Sequence, residues 1–204
     1  MNSTFRIRQG ELGDRESAYA VCLQTGDDGR DATAFYEDPA ALGRIFVGPY
    51  FAIAPELTFV LEDEQGVCGY VMGALDSKEF YQAYLEHWVP ALQRQFPAPT
   101  GDPAGWSRTQ RIYHDYHHPD VYSPEPYELY PSHLHIDLLP RAQGHGWGRR
   151  MMEHLMEALR TRGSPGVHLG VGQVNERAIG FYRKLGFAEL ARARDVLYLG
   201  RRLS

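Results

Sequence analysis

The period of the apolar positions changes repeatedly along the chain, and each change marks an element. Residues 5–8 alternate with period two, as a short first strand does, and residues 11–23 take helical spacing with Leu12, Tyr19 and Leu23 facing inward. Gly26-Asp27-Asp28-Gly29-Arg30-Asp31 ends that helix in an acidic loop. Apolar runs at 57–61 and 67–74 flank Glu62-Asp63-Glu64-Gln65-Gly66, a hairpin signal because Gly and Asp tolerate tight-turn geometry. From residue 134 the pattern settles into strand and helix in turn. Residues 134–139 and 167–171 are strands, and 147–162 is a helix whose inward stripe is Met151, Met152, Leu155, Met156 and Leu159, closed by Gly163. Residues 176–185 form a second helix, with Arg183 and Lys184 at the negative end of its dipole. Strands at 187–190 and 196–199 complete an α/β protein with a mixed central β-sheet flanked by helices.

Residues 76–131 break this rhythm. They hold eleven of the 25 aromatic residues and eight of the 13 prolines, and so many aromatics argue for order. Residues 78–95 read as a helix kinked near Pro90, and the rest as a long ordered excursion before the fourth strand. Long ordered excursions commonly serve as lids or pocket walls. The whole chain, 1–204, reads as a single domain carrying that insertion.

Composition narrows the function classes. A net charge of −5 lacks the phosphate-neutralising surface that nucleic-acid binders need. Neither a leader peptide in residues 1–8 nor a membrane span is legible, so a cytoplasmic enzyme-sized domain, monomer or homodimer, is expected. Cys22 and Cys68 sit among apolar neighbours and read as buried thiols. His114, His117 and His118 lack the further ligands of a tetrahedral metal site, so no metal is expected.

The chemistry concentrates in Leu138-Leu139-Pro140-Arg141-Ala142-Gln143-Gly144-His145-Gly146-Trp147-Gly148-Arg149-Arg150, which joins a strand directly to an amphipathic helix. Alternating glycines let backbone N–H groups converge on one point, and the helix start adds free N–H groups and partial positive charge. Together they make a diphosphate cradle. The loop lacks the Gly-Lys-Ser/Thr of nucleotide hydrolases and the G-x-G-x-x-G spacing of dinucleotide folds.

Gln143, Gly146 and Gly148 do match Q/R-x-x-G-x-G/A, and the stretch resembles the pyrophosphate loop of GNAT acetyltransferases. Asn175-Glu176-Arg177-Ala178-Ile179-Gly180-Phe181-Tyr182-Arg183-Lys184-Leu185-Gly186-Phe187 resembles the second half of that family's cofactor site. The resemblance implies a GNAT fold and acetyl-CoA as co-substrate. It places Gln143, Gly144, His145, Gly146, Trp147, Gly148 and Arg149 around the diphosphate. Asn175, Ala178 and Phe181 then flank the pantetheine arm, whose amides pair with the backbone of Leu138 and Leu139, and Tyr182 lies near the thioester sulfur. Residues 23–33, 133–140 and 166–172 are similar to a bacterial branch related to the C-terminal domain of eukaryotic O-GlcNAcase. That domain is regarded as a pseudo-acetyltransferase with a degraded cofactor site, whereas the glycine loop here is intact. No glycoside hydrolase portion is present, so the resemblance implies no sugar cleavage.

Acetyl transfer to an amine needs a base, an oxyanion donor and a proton for the departing thiolate. Tyr182 is the candidate proton donor, and a backbone N–H within 136–139 the oxyanion donor. Strand alternation puts His133, His135 and Asp137 on one face, making Asp137 and His135 the candidate bases. The alternative for both is structural: Asp137 bonding the loop and the histidines packing on the excursion. Asp27, Asp28 and Asp31, with Tyr84 and Trp88 (and Tyr81 beside them), are the candidate wall for a cationic acceptor, a small-molecule or peptide-borne amine. Equally, Asp31 or Thr33 could cap a helix. A non-catalytic CoA-binding module, a pseudo-acetyltransferase, stands as the second reading of the whole.

Overall fold

A computed structural model describes residues 4–203; the leader reading at residues 1–3 lies outside them. Strand β1 (Arg6–Gln9) leads through a 3-10 turn (Leu12–Asp14) into α1 (Arg15–Leu23). The helix starts later than its spacing suggests. Arg8 grips the Asp14 carboxylate at 2.6 and 2.8 Å, and that carboxylate also takes the Glu11 N–H at 2.8 Å. Leu12, expected inward, is turned out and is 69% exposed. Two short helices absent from the sequence reading follow, α2 (Ala41–Phe46) and α3 (Gly48–Ile53).

The expected hairpin forms as β2 (Thr58–Asp63) and β3 (Gly66–Ala74), with Gly66 at φ +101°. Between β3 and β4 lie α4 (Ser77–Ala83), α5 (Val89–Gln95) and α6 (Arg108–His117). A π turn (Tyr84–Trp88) joins α4 to α5 just before Pro90, whose ring would otherwise clash with the preceding turn. Then come β4 (Ser132–Leu138), α7 (Trp147–Thr161), β5 (Gly166–Gly172), α8 (Glu176–Lys184), β6 (Ala188–Ala193) and β7 (Val196–Arg202).

The seven strands form one mixed sheet in the order β1-β2-β3-β4-β5-β7-β6, antiparallel except for β4 beside β5. Helix α7 seats Met151, Met152, Leu155 and Leu159, all fully buried, on one face. Gly73 admits that helix closely: a Cβ there would lie 3.0 Å from Leu155 Cδ1. On the opposite face α1 and α3 meet the even-numbered residues of β3. Through the register Tyr70↔Asp137, Met72↔His135 and Ala74↔His133, the polar row of β4 shares that face. No helix among the described residues is long and apolar enough to cross a membrane.

Candidate active site

The site begins where β4 and β5 part. They pair only through Ser132/Val167 and His133/His168, so beyond these residues the strands diverge. The Leu139 N–H donates to Cys68 O at 2.8 Å. Successive residues of a strand send their backbone groups to opposite edges, so Ile136 and Leu138 turn theirs into the gap. A cleft of about 680 Å³ occupies it.

At one end of the cleft lies the glycine loop. Gly144 and Gly146 hold φ of +79° and +80°, and nothing stands within 4 Å of where their Cβ atoms would be. No side chain caps α7. Its first backward bond runs from Arg150 N to Gly146 O at 3.1 Å, leaving the earlier N–H groups for a ligand. Gly148 lines the cleft with Gly144 and Gly146 and also serves helix packing. A Cβ there would meet Phe181 Cζ at 3.3 Å, so its absence lets α7 and α8 close together. Arg149, Arg177 and Lys184 also line the cleft. An open glycine cradle, a bare helix start and three cations fit a diphosphate. Gln143 braces the loop, donating Nε2–H to Leu138 O at 2.6 Å and accepting from Arg177 through Oε1.

The wall across from β4 is the start of α8. Asn175 Oδ1 caps it by accepting from Ala178 N at 3.0 Å, and Ala178, Phe181 and Tyr182 line the cleft beyond. On the β4 side, His135 Nε2 lies 3.5 Å from Asp137 Oδ2, and Tyr70 Oη donates to the same oxygen at 2.5 Å. Burial pushes the Asp137 carboxyl above the usual carboxylate range, opposed by His135 and by the hydroxyls of Tyr70 and Thr25. Burial also raises the Tyr182 phenol, with Asp137 adding to it, so Tyr182 keeps its proton at neutral pH. The Cys22 thiol is raised by the same two causes and stays un-ionised.

A second cavity, about 270 Å³, opens off the cleft at Phe46, His135 and Gly170, which line both. Its walls are aromatic: Tyr50 and Phe80, then Tyr81 and Tyr84, then Tyr122 and Tyr198. His133, His135, His168 and Asp120 add polar groups to the tyrosine hydroxyls.

A model of the acetyltransferase (GNAT) family matches residues 30–187. The chain belongs to the GNAT family. It is 31% identical to Protein O-GlcNAcase of Rattus norvegicus over 207 residues, which cover 99% of this chain and 22% of that protein. The chain therefore spans about a fifth of the length of the curated relatives it matches. Among solved structures, SsHAT superposes with a TM-score of 0.90 at 39% identity, covering 98% of this chain and 99% of that one. The Salmonella typhimurium protein yncA, solved with its cofactor acetyl-CoA, shares the fold at a TM-score of 0.56 and 15% identity, covering 98% and 94%.

Within this GNAT scaffold several expected site residues take other places. Leu139 is buried and its N–H is spent on β3, so the free backbone edge belongs to Ile136 and Leu138. His145 is exposed and outside the cleft lining. Trp147 packs on Phe5 at 5.5 Å and under Arg150 at 4.6 Å. Asp27 pairs with Arg108 and Arg30, both at 2.9 Å, and these hold its carboxyl below the usual range. Asp31 is taken by Thr33, whose N–H and hydroxyl donate at 2.8 and 2.6 Å, a local turn bond one residue ahead of Ala32, the cap position of the 3-10 turn Thr33–Phe35. Trp88 donates Nε1–H to Arg44 O at 2.8 Å, tying the π turn to α2. Of the three aspartates only Asp28 reaches the cleft, its Oδ1 lying 3.0 Å from where a Gly172 Cβ would be.

His114 and His118 stack at 4.0 Å and His117 contacts Phe96 O at 2.8 Å; among the described residues no group of three potential ligands could hold a metal. Tyr70, Thr25, Phe46, Asp120, Tyr122 and Tyr198 were not anticipated. Tyr70 meets Asp137 through a register that links positions 67 apart, which no local pattern reports. Arg177 and Lys184 lie within the second motif and carried a legible signal: basic residues flanking a diphosphate loop.

Proposed function

We propose that the protein transfers an acetyl group from acetyl-CoA to an amine, borne on a small molecule or a peptide, by direct attack. The observation that carries this reading is the junction of the two cavities. The cleft that carries the diphosphate cradle at one end meets the aromatic pocket at His135, beside Asp137 and in the same cleft as Tyr182. Family membership and the acetyl-CoA bound in yncA support the donor.

Acetyl-CoA supplies an acetyl group already activated as a thioester. Ile136 and Leu138 offer backbone N–H groups at the lip of the cleft to the carbonyl oxygen, where negative charge develops during attack. Asp137, in its ionised form and coupled to His135, takes a proton from the acceptor ammonium, whose free pKa near ~10.4 keeps it charged in water. Tyr182, held neutral by burial, donates its phenolic proton to the departing sulfur and recovers one from the amine nitrogen as the amide forms. One thioester is broken and one amide formed; of the two protons the ammonium loses, one ends on the thiol and one in solvent.

The test is incubation of the protein with acetyl-CoA and a panel of primary amines, with products read by mass. Acetylated amine supports transfer. Tight acetyl-CoA binding with no product from any amine would move the protein to the reading of a CoA-binding module.

A further inference from the structure

His133 stands at the inner end of the aromatic pocket, only 4% exposed, and its proton can be located from its neighbours. Its Nδ1 lies 2.8 Å from Ser77 Oγ, and that hydroxyl lies 2.7 Å from Pro131 O. A carbonyl only accepts, so the single serine proton is spent on Pro131. Ser77 Oγ must then accept from His133, which places the imidazole proton on Nδ1. Burial drives the ring pKa down to about 3, so the ring is neutral and Nε2 carries a bare lone pair. That atom is buried and has no hydrogen-bond partner. A buried acceptor left unpaired is costly and calls for a partner.

The surroundings limit what the partner can be. Tyr81 stacks on His133 at 5.0 Å and 4°, and Phe80 and Tyr50 meet it edge-on at 5.0 and 5.6 Å. His168, 5.9 Å away, spends its Nδ1–H on Tyr130 O at 2.8 Å and is likewise kept neutral by burial. Asp120, the acidic group of the pocket, is paired with Arg194 at 2.9 Å. The inner end is therefore flat-walled, lined by phenols and neutral imidazoles, with a bare acceptor at His133 Nε2. The whole pocket, at 270 Å³, equals the share of roughly nine waters at about 30 Å³ each, room for one ring and a short arm.

Resting on the acceptor reading above, we infer that His133 selects the acceptor, its Nε2 accepting a hydrogen bond from an O–H or N–H on the ring of an arylalkylamine. The amine points to His135 and Asp137 while the ring lies among Tyr81, Phe80 and Tyr50. A carboxylate in the ring's place sets a second acceptor against Nε2, and a plain phenyl ring leaves Nε2 unpaired.

The experiment is titration calorimetry on the coenzyme A-loaded protein with tyramine, its meta-hydroxy isomer and phenethylamine. A site that bonds a ligand hydroxyl discriminates against the analogue lacking it. The better hydroxylated amine should bind at least about tenfold more tightly than phenethylamine, and the preference should fall below about twofold in His133→Phe, which keeps a stacking ring without a lone pair. Nitrogen NMR of the wild-type histidines serves as a second measurement should that variant not fold. Free His133 should show the Nδ1–H tautomer, and its Nε2 resonance should move with the hydroxylated amine but not with phenethylamine. Equal affinities, no binding of any of the three, an Nε2–H tautomer, or a preference retained in His133→Phe would each overturn the inference and leave Nε2 to a resident water. Acetylation of simple alkylamines with no aryl preference would remove this inference and leave acetyl transfer standing. A hydroxyl preference in binding with no acetylation of any amine would do the reverse.

Discussion

His135 and Asp137 lie two residues apart on β4 with Nε2 and Oδ2 separated by 3.5 Å, while His135 Nδ1 contacts Phe46 O at 3.0 Å. The carbonyl accepts, so Nδ1 holds a proton and the Nε2–carboxyl contact is favourable only with one more proton between the two groups. The pair thus acts as a unit, tuned by the Tyr70 hydroxyl on the same carboxyl oxygen.

Asp137→Asn should lower kcat/KM by roughly 10²–10⁴-fold, the usual range for a positioned base. It should also raise the melting temperature at pH 7. The folded protein holds the Asp137 proton to higher pH than the unfolded chain does. Stability from this group is thus complete below the ordinary carboxylate range and lost as pH rises through the raised value. Calorimetry and steady-state kinetics on one preparation check both effects.

Tyr70→Phe removes a donor that favours the ionised carboxylate, so the Asp137 carboxyl should rise further. The acid limb of kcat/KM should move to higher pH, with the plateau above it little changed. An acid limb that stays in place would separate Tyr70 from the base.

Tyr182→Phe should lower turnover by roughly 10²-fold with acetyl-CoA affinity unchanged, since only the proton-bearing hydroxyl is lost. Equal turnover would assign Tyr182 to packing against Phe181 and Phe187, its ring neighbours at 5.3 and 5.9 Å.

Acetyl-CoA at 100 times its dissociation constant should stabilise the fold by about 2.7 kcal/mol. Gly146→Asp should abolish that shift, because it strains a φ of +80° and puts negative charge into the open cradle. Asp28→Asn, in the cleft, should change acceptor KM, whereas Asp27→Asn and Asp31→Asn should affect the stability of their loop and leave KM alone. Thermal shift and kinetics on the four variants separate these outcomes.

His133 supplies an acid sensitivity. The unfolded ring takes up a proton near pH 6.5 and the folded one only near 3, so its stability is full above 6.5 and lost as pH falls between those values. The loss should reach a few kcal/mol, and His133→Phe should flatten the fall of melting temperature over that interval.

Sequence alone carried the repetitive elements and the two cofactor motifs, for a local reason. Backbone periodicity, closely spaced glycines and the start of an amphipathic helix are written within a few neighbouring residues, so the cradle at Gly144 to Gly148 and the helix after Asn175 were legible, though not the cap that Asn175 makes. The short helices α2 and α3 were not, since six residues give too little period and their places depend on Tyr19 and Trp88 packing over Gly43 and Gly48. Nor could sequence show which aspartate was free. Asp27 was claimed by Arg108, 81 positions away, and Asp31 by its own Thr33, leaving Asp28 to face the cleft. The parting of β4 from β5, the seat of Tyr70 on Asp137 and the bare nitrogen of His133 all arise where distant segments meet. Strand register and long-range packing decide such contacts, and only the folded chain brings those segments together.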